Sequence, residues 1–156
     1  AGGTTGLFGS EVGADMINIA VGKVTLTFGT AFVRGILCNF LVCIAVWMAF
    51  AAKDVTGKIV GLFFPIMFFV LSGFEHSVAN MYFIATGLFA SGNQALVDLA
   101  ANANIGALTW GNFIVKNLLP VTLGNIVGGS VMVGLSYWYL YLSGSKEKVT
   151  AKATKK

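Results

Sequence analysis

Charged residues are sparse along this chain and unevenly placed, and the uncharged runs between them set its architecture. A bilayer core takes roughly 20 apolar residues as helix, and three regions offer runs of that order. The first extends from about Leu26 to Ala52, is interrupted only by Arg34, and closes with Trp47 near the polar turn Lys53-Asp54-Val55-Thr56-Gly57-Lys58. The second extends from Ile59 to about Ala90 and holds one polar break, Glu75-His76. The third is the 29-residue uncharged stretch Asn117 to Ser145, with Lys116 at one end and Tyr137-Trp138-Tyr139 near the other. The pattern predicts transmembrane helices over 26–52, 59–90 and 110–143. A turn at 53–58, a connection over 91–109 and a basic tail at 144–156 link and end them. Residues 1–25 are Gly-rich and weakly amphipathic, with Glu11, Asp15 and Lys23 as their charges, and predict a loop with a short interfacial helix.

The second region does not read as one plain span. Ile59 to Phe74 is 16 uncharged residues, or about 24 Å of helix at 1.5 Å per residue, too short to cross. Ser77 to Ala90 is shorter still, yet the two together overshoot one crossing. The junction Ser72-Gly73-Phe74-Glu75-His76-Ser77 carries a glycine and hydroxyls able to satisfy backbone groups freed by unwinding. It predicts a helix broken near 72–78, the arrangement that places half-helix dipoles at a midplane substrate site.

Composition turns these helices into a membrane protein. Of the 156 residues 56% are hydrophobic and 10% charged, and the mean hydropathy is +0.82. That is more apolar surface than one core of this size buries, so the remainder faces lipid or partner subunits. The formal charge of +4 is not a basic surface, because five of the ten cations, Lys146, Lys148, Lys152, Lys155 and Lys156, lie in the last eleven residues. They have no aromatic interleaving and suit a membrane-flanking tail, not a nucleic-acid face. Lys53, Lys58 and that tail place the 53–58 turn and the C-terminus in the cytoplasm by the positive-inside rule, with 91–109 outside. Cys38 and Cys43 sit inside one apolar run and read as free buried thiols. The start at Ala-Gly-Gly, with no initiator Met or signal peptide, and the odd number of spans predict a C-terminal half of a larger protomer. No internal repeat is found.

An ionisable group within a membrane span points to a cavity or a transport role, and His76 is the only histidine. Glu75 beside it has two structural readings, capping the second half-helix or bracing the loop, against direct substrate contact. Asn39, polar in an apolar run, is either a pore contact or interhelical glue. Arg34 reads as a snorkelling or subunit-interface residue, Lys116 as an interfacial anchor, and Gly124-x-x-x-Gly128 as a close-packing motif. One histidine and no H-E-x-x-H cannot assemble a metal-hydrolase site. Ser72 or Ser77 with His76 lacks an oxyanion loop, and no phosphate-binding Gly loop is present. Neither an enzyme nor a cofactor or metal is expected.

Two stretches carry a more specific signal. Phe69-Val70-Leu71-Ser72-Gly73-Phe74-Glu75-His76-Ser77-Val78-Ala79-Asn80-Met81 and Gly35-Ile36-Leu37-Cys38-Asn39-Phe40-Leu41-Val42-Cys43-Ile44-Ala45 closely resemble the signature stretches of the C-terminal half of formate/nitrite transporter family channels. Asn117-Leu118-Leu119-Pro120-Val121-Thr122-Leu123-Gly124-Asn125-Ile126-Val127-Gly128-Gly129 agrees, and the resemblance covers roughly residues 23 to 142. It implies an all-α, aquaporin-like protomer of two inverted three-helix repeats, assembled as a homopentamer in the bacterial inner membrane with one pore per protomer. This chain resembles the second repeat, with the N-terminal three-helix half of the protomer as its missing partner. By motif position His76 matches the central pore histidine and Phe69 an aromatic of the hydrophobic constriction. Asn39 and Val42 match pore-lining positions on the cytoplasmic side, and Lys23 matches the vestibule lysine that attracts anions. Glu75 and Asn80 flank the broken-helix loop, and Asn125 matches a pore-adjacent asparagine of the last helix.

The function this implies is passage of small monovalent anions or their conjugate acids, such as formate, nitrite or hydrosulfide. A dry constriction makes the bare anion costly while a neutral acid crosses cheaply. His76 then either donates a proton to the entering anion or holds a positive charge that stabilises it. The rival reading is a structural or assembly membrane protein without its own pore, in which the polar break relieves packing and the glycines serve assembly.

Overall fold

The computed structural model describes residues 5–102 and 104–143, and among these every regular element is helical. They form α1 (Thr5–Val24), α2 (Phe28–Ala51), α3 (Val55–Leu71), α4 (Ser77–Ala90), α5 (Gln94–Ala100) and α6 (Trp110–Leu142), with a 3-10 turn at Ile105–Ala107. By length and composition α2 and α6 can each cross a membrane, whereas α3 and α4 are apolar but only 17 and 14 residues long. The basic tail, with its lysines from Lys146 on, lies outside the described residues, as do residues 1–4.

Local chemistry fixes the helix ends. Asp54 starts α3 with an extended backbone, and its carboxylate accepts the Gly57 N–H at 2.7 Å, the usual N-cap exchange. Asn93 caps α5 and Thr109 caps α6 in the same way. Pro65 inside α3 withdraws one backbone donor. In α6 the stretches Phe113–Leu118, Val127–Leu135 and Trp138–Leu142 are wound as π-helix, which shifts the side-chain register relative to a uniform α-helix.

The helices belong to two compact units. The first comprises the described residues up to Gly35 together with Glu75–Gly124. Its core joins Ala14, Ile17, Ala20, Val21 and Val24 of α1 to Ile84 and Ala90 of α4, Leu96 and Ala100 of α5, Leu108 and Phe113. Small residues let α1 and α4 approach closely: a Cβ on Gly87 would collide with the Ala20 Cβ and lie 2.8 Å from the Met16 carbonyl oxygen.

The N-terminal segment differs from expectation. Residues 5–24 form one helix of 20 residues in place of a loop with a short helix. Glycines and charges dilute its apolar residues, but Ala14, Ile17, Ala20, Val21 and Val24 recur at three- and four-residue spacing and bury one stripe. The 91–109 connection is likewise not all loop, since it contains α5 and the 3-10 turn.

The second unit comprises Ile36–Phe74 and the described residues from Asn125 on. Here Gly128 sits against the backbone of α2, where a Cβ would collide with the Ile36 carbonyl oxygen. Asn39 donates from Nδ2 to the Asn125 carbonyl at 2.8 Å, and Trp47 packs on Tyr137 with ring centroids 4.3 Å apart.

Candidate functional site

Between α3 and α4 the helix is closed on one side and reopened on the other. Gly73 takes φ 65°, a left-handed conformation that favours glycine. Around it the Gly73 N–H donates to Val70 O at 3.1 Å and the Phe74 N–H to Phe69 O at 3.0 Å. That pair of bonds is the Schellman termination, and its usual apolar contact is supplied by Phe68 and Phe74, with ring centroids 6.4 Å apart. Two residues on, His76 is extended (φ −108°, ψ 118°) and caps α4, its Nδ1 accepting the Ala79 N–H at 3.3 Å. An Nδ1 that accepts carries no hydrogen, so in the neutral ring the hydrogen is on Nε2. Of the two structural roles open to Glu75, capping therefore falls to its neighbour.

Glu75 instead anchors a buried polar network in the first unit. Its carboxylate is paired with Lys23 of α1, whose Nζ lies 3.0 Å from Oε1 and 3.2 Å from Oε2. Oε2 also accepts from Asn80 Nδ2 at 2.6 Å and Asn117 Nδ2 at 3.3 Å. Asn80 Nδ2 donates further to Asn117 Oδ1 at 2.8 Å, and Asn117 Nδ2 reaches the Lys23 carbonyl at 3.0 Å. The Glu75 backbone N–H donates to Arg34 O at 3.3 Å. Four elements thus meet at this residue: α1, α2, α4 and α6. Lys23, Asn80 and Asn117 all donate to the carboxylate, the paired charge and hydrogen bonds that a carboxylate buried at 3% exposure needs. Among the described residues, Asn80 Oδ1 is buried without a hydrogen-bond partner.

Of the residues singled out by sequence, Lys23, Glu75 and Asn80 are brought together here, with His76 adjoining Glu75 in the chain. Asn39 and Asn125 meet in the second unit, where the Asn39 side-chain amide donates to the Asn125 backbone carbonyl. Val42 and Phe69, also of that unit, are half-buried. The Lys23 ammonium, a vestibule charge by resemblance, lies on the Glu75 carboxylate, and its side chain is 18% exposed. The sequence reading missed Asn117, fully buried at 0%. Its signal was available as an amide within an uncharged helix, where an unpaired polar group is costly.

Comparison with known proteins follows the same residues. The model of the formate/nitrite transporter family matches residues 1–139. A probable formate transporter of Methanothermobacter thermautotrophicus is 52% identical over 126 residues, covering 80% of this chain and 40% of that protein. The formate channel FocA of Escherichia coli strain K12 is 44% identical over 134 residues, covering 83% and 47%. Among solved structures, a pentameric formate channel with formate bound aligns with a TM-score of 0.75 at 44% identity, over 85% of this chain and 53% of that one. An FNT family ion channel aligns with a TM-score of 0.65 at 36% identity, covering 81% and 45%. The chain spans about half the length of the curated relatives it matches.

Proposed function

The chain belongs to the formate/nitrite transporter family, and from that membership we propose that it forms part of a membrane channel for small monovalent anions or their conjugate acids. The observation that carries this reading is the helix interrupted between Leu71 and Ser77, with His76 capping the second half and a buried, ion-paired carboxylate next to it. A lone packing defect would not need four helices converging to hold an ionised group beside an imidazole.

In this reading His76 is the pore histidine. Its Nδ1 is committed to the α4 cap, so the neutral ring meets a passing anion through the Nε2 hydrogen. Phe69 and Val42 supply apolar resistance to the bare anion, and the neutral acid, which has no charge to desolvate, crosses more cheaply. Formate is the first substrate to test because the matched relatives are named for it. Nitrite and hydrosulfide share its size and charge. Asn39 and Asn125 line or brace the same pathway, and Glu75, Asn80 and Lys23 fix the loop that carries His76. The assembly proposed is a homopentamer of aquaporin-like protomers built from inverted three-helix repeats, with this chain carrying the second repeat. It lies in a bacterial inner membrane with the 53–58 turn and the C-terminus cytoplasmic and 91–109 outside.

The test is formate flux in proteoliposomes holding the full-length protein. His76→Phe abolishes flux and its pH dependence; flux retained at the wild-type level with the same pH profile removes His76 from the mechanism. His76→Asn separates chemistry from folding, since asparagine keeps a capping side chain but lacks the imidazole. It folds as the wild type does and loses the pH dependence.

A further inference from the structure

Three cations lie in the first unit, Lys23, Arg34 and Lys116. Lys23 is paired with Glu75 at 3.0 Å. Among the described residues the other two form no ion pair and no side-chain hydrogen bond. Arg34 is half-buried, sits seven residues into α2 and follows Val33, which is 52% exposed, in a helix apolar enough to cross a membrane. Its carbonyl is occupied, accepting the Glu75 N–H at 3.3 Å, but its guanidinium meets no acceptor. Thr30 precedes it by four residues, one turn back on the same face. A helical Cα–Cβ bond leans toward the helix N-terminus, so the Arg34 stem sets out toward Thr30. The Thr30 hydroxyl shares a 2.8 Å hydrogen bond with that of Thr27, whose Oγ1 also accepts the Thr30 N–H at 3.3 Å. Thr27 in turn lines a cleft of about 520 Å³ together with Lys116. Apart from Thr25, whose hydroxyl is committed to Val21 O at 2.9 Å, the remaining wall is apolar. It includes Leu26, Phe28 and Val115, and no carboxylate lines it.

Two unpaired cations linked by hydroxyls call for an anion with several oxygens, whereas Phe28 at 56% and Val115 at 62% exposure call for hydrocarbon. One amphiphile satisfies both. We infer that this face of the first unit binds an anionic glycerophospholipid, its phosphate held by Arg34, Lys116 and the Thr27–Thr30 pair and its acyl chains against the apolar wall. The guanidinium fork matches two phosphate oxygens. The shared Thr27–Thr30 bond uses one hydroxyl hydrogen and leaves the other to donate. This site requires the membrane placement proposed above and no transport through the chain, and it assigns Arg34 to lipid in place of a subunit interface.

The experiment uses the full-length protein in detergent, with phosphatidylglycerol and phosphatidylcholine of the same acyl chains as probes and bound lipid counted by native mass spectrometry. The wild type retains phosphatidylglycerol in preference to phosphatidylcholine. Arg34→Met and Lys116→Met each lower phosphatidylglycerol retention about three- to tenfold, the scale of one nearby unit charge in a wet environment, and leave phosphatidylcholine retention unchanged. Arg34→Lys keeps part of the preference, because a point charge replaces the fork. Lys58→Met, in the polar turn at the other end of α2, keeps all of it. Unaltered phosphatidylglycerol retention in either Met variant, or a wild type without the preference, overturns the proposal. Displacement of the lipid by inorganic phosphate at equal concentration also overturns it, in favour of a free oxyanion. So does an Arg34→Met protein that falls to a smaller oligomer in lipid-free detergent, which would place a carboxylate of another chain on the guanidinium. Should Arg34→Met fail to fold, Lys116→Met and Arg34→Lys carry the same test. No formate enters the measurement, so loss of the channel reading is a separate outcome, the absence of formate flux in the wild type.

Discussion

The Glu75 carboxylate is buried at 3% exposure with Lys23, Asn80 and Asn117 all donating to it. The network's strength should therefore appear in stability before it appears in transport. Lys23→Met strands the carboxylate and costs about 3–5 kcal/mol, the usual penalty for removing one partner of a buried pair. Glu75→Gln costs less, because the Lys23 side chain keeps 18% exposure and can reach water. Thermal unfolding in detergent measures both, and the double variant Lys23→Met/Glu75→Leu should recover part of the loss. Additive losses would show that the pair is not coupled. Sequence reasoning singled out Lys23, Glu75 and Asn80 one at a time. The vestibule role of Lys23 came from the family resemblance, and no local pattern reveals that this ammonium, 52 residues away in the chain, is the carboxylate's partner.

Helix ends and helix contacts were readable to different degrees. The glycine of Ser72-Gly73-Phe74 marks where α3 stops, since a left-handed residue there is cheap for glycine alone. Gly73→Ala should cost about 1 kcal/mol of stability through the αL penalty. Gly128→Ala should cost about 1–3 kcal/mol by overpacking, because the new methyl runs into the Ile36 carbonyl oxygen. Gly22→Ala, with nothing within 4 Å of the added Cβ, should be neutral or stabilise α1 by up to about 1 kcal/mol. Equal melting temperatures for the Gly22 and Gly128 variants would remove the close-approach argument. The length of α1 was not readable from how apolar the segment is. Its stripe of Ala14, Ile17, Ala20, Val21 and Val24 becomes apolar surface of consequence only once α4 is there to cover it.

On the whole molecule, large apolar side chains stand exposed, among them Phe50 at 80%, Leu71 at 77% and Tyr139 at 71%. In the proposed channel these face lipid or neighbouring protomers. The proposed orientation is checked by Lys53→Cys in a Cys38→Ala/Cys43→Ala background: a membrane-impermeant thiol reagent should label it in inside-out vesicles and not in intact cells. Labelling in intact cells would invert the topology. The sequence by itself determined that this is an all-helical chain with far too little charge for a water-soluble core, that an acid and an imidazole interrupt its second apolar run, and which family it resembles. Those properties are local, because the cost of placing charge in hydrocarbon is set residue by residue. Only the tertiary structure decided that Lys23 neutralises Glu75, that Asn117 completes the network from 42 residues away, and that Lys116 faces a cleft without a carboxylate. Pairing across helices depends on which faces pack together, and the chain's periodicity leaves that choice to the fold.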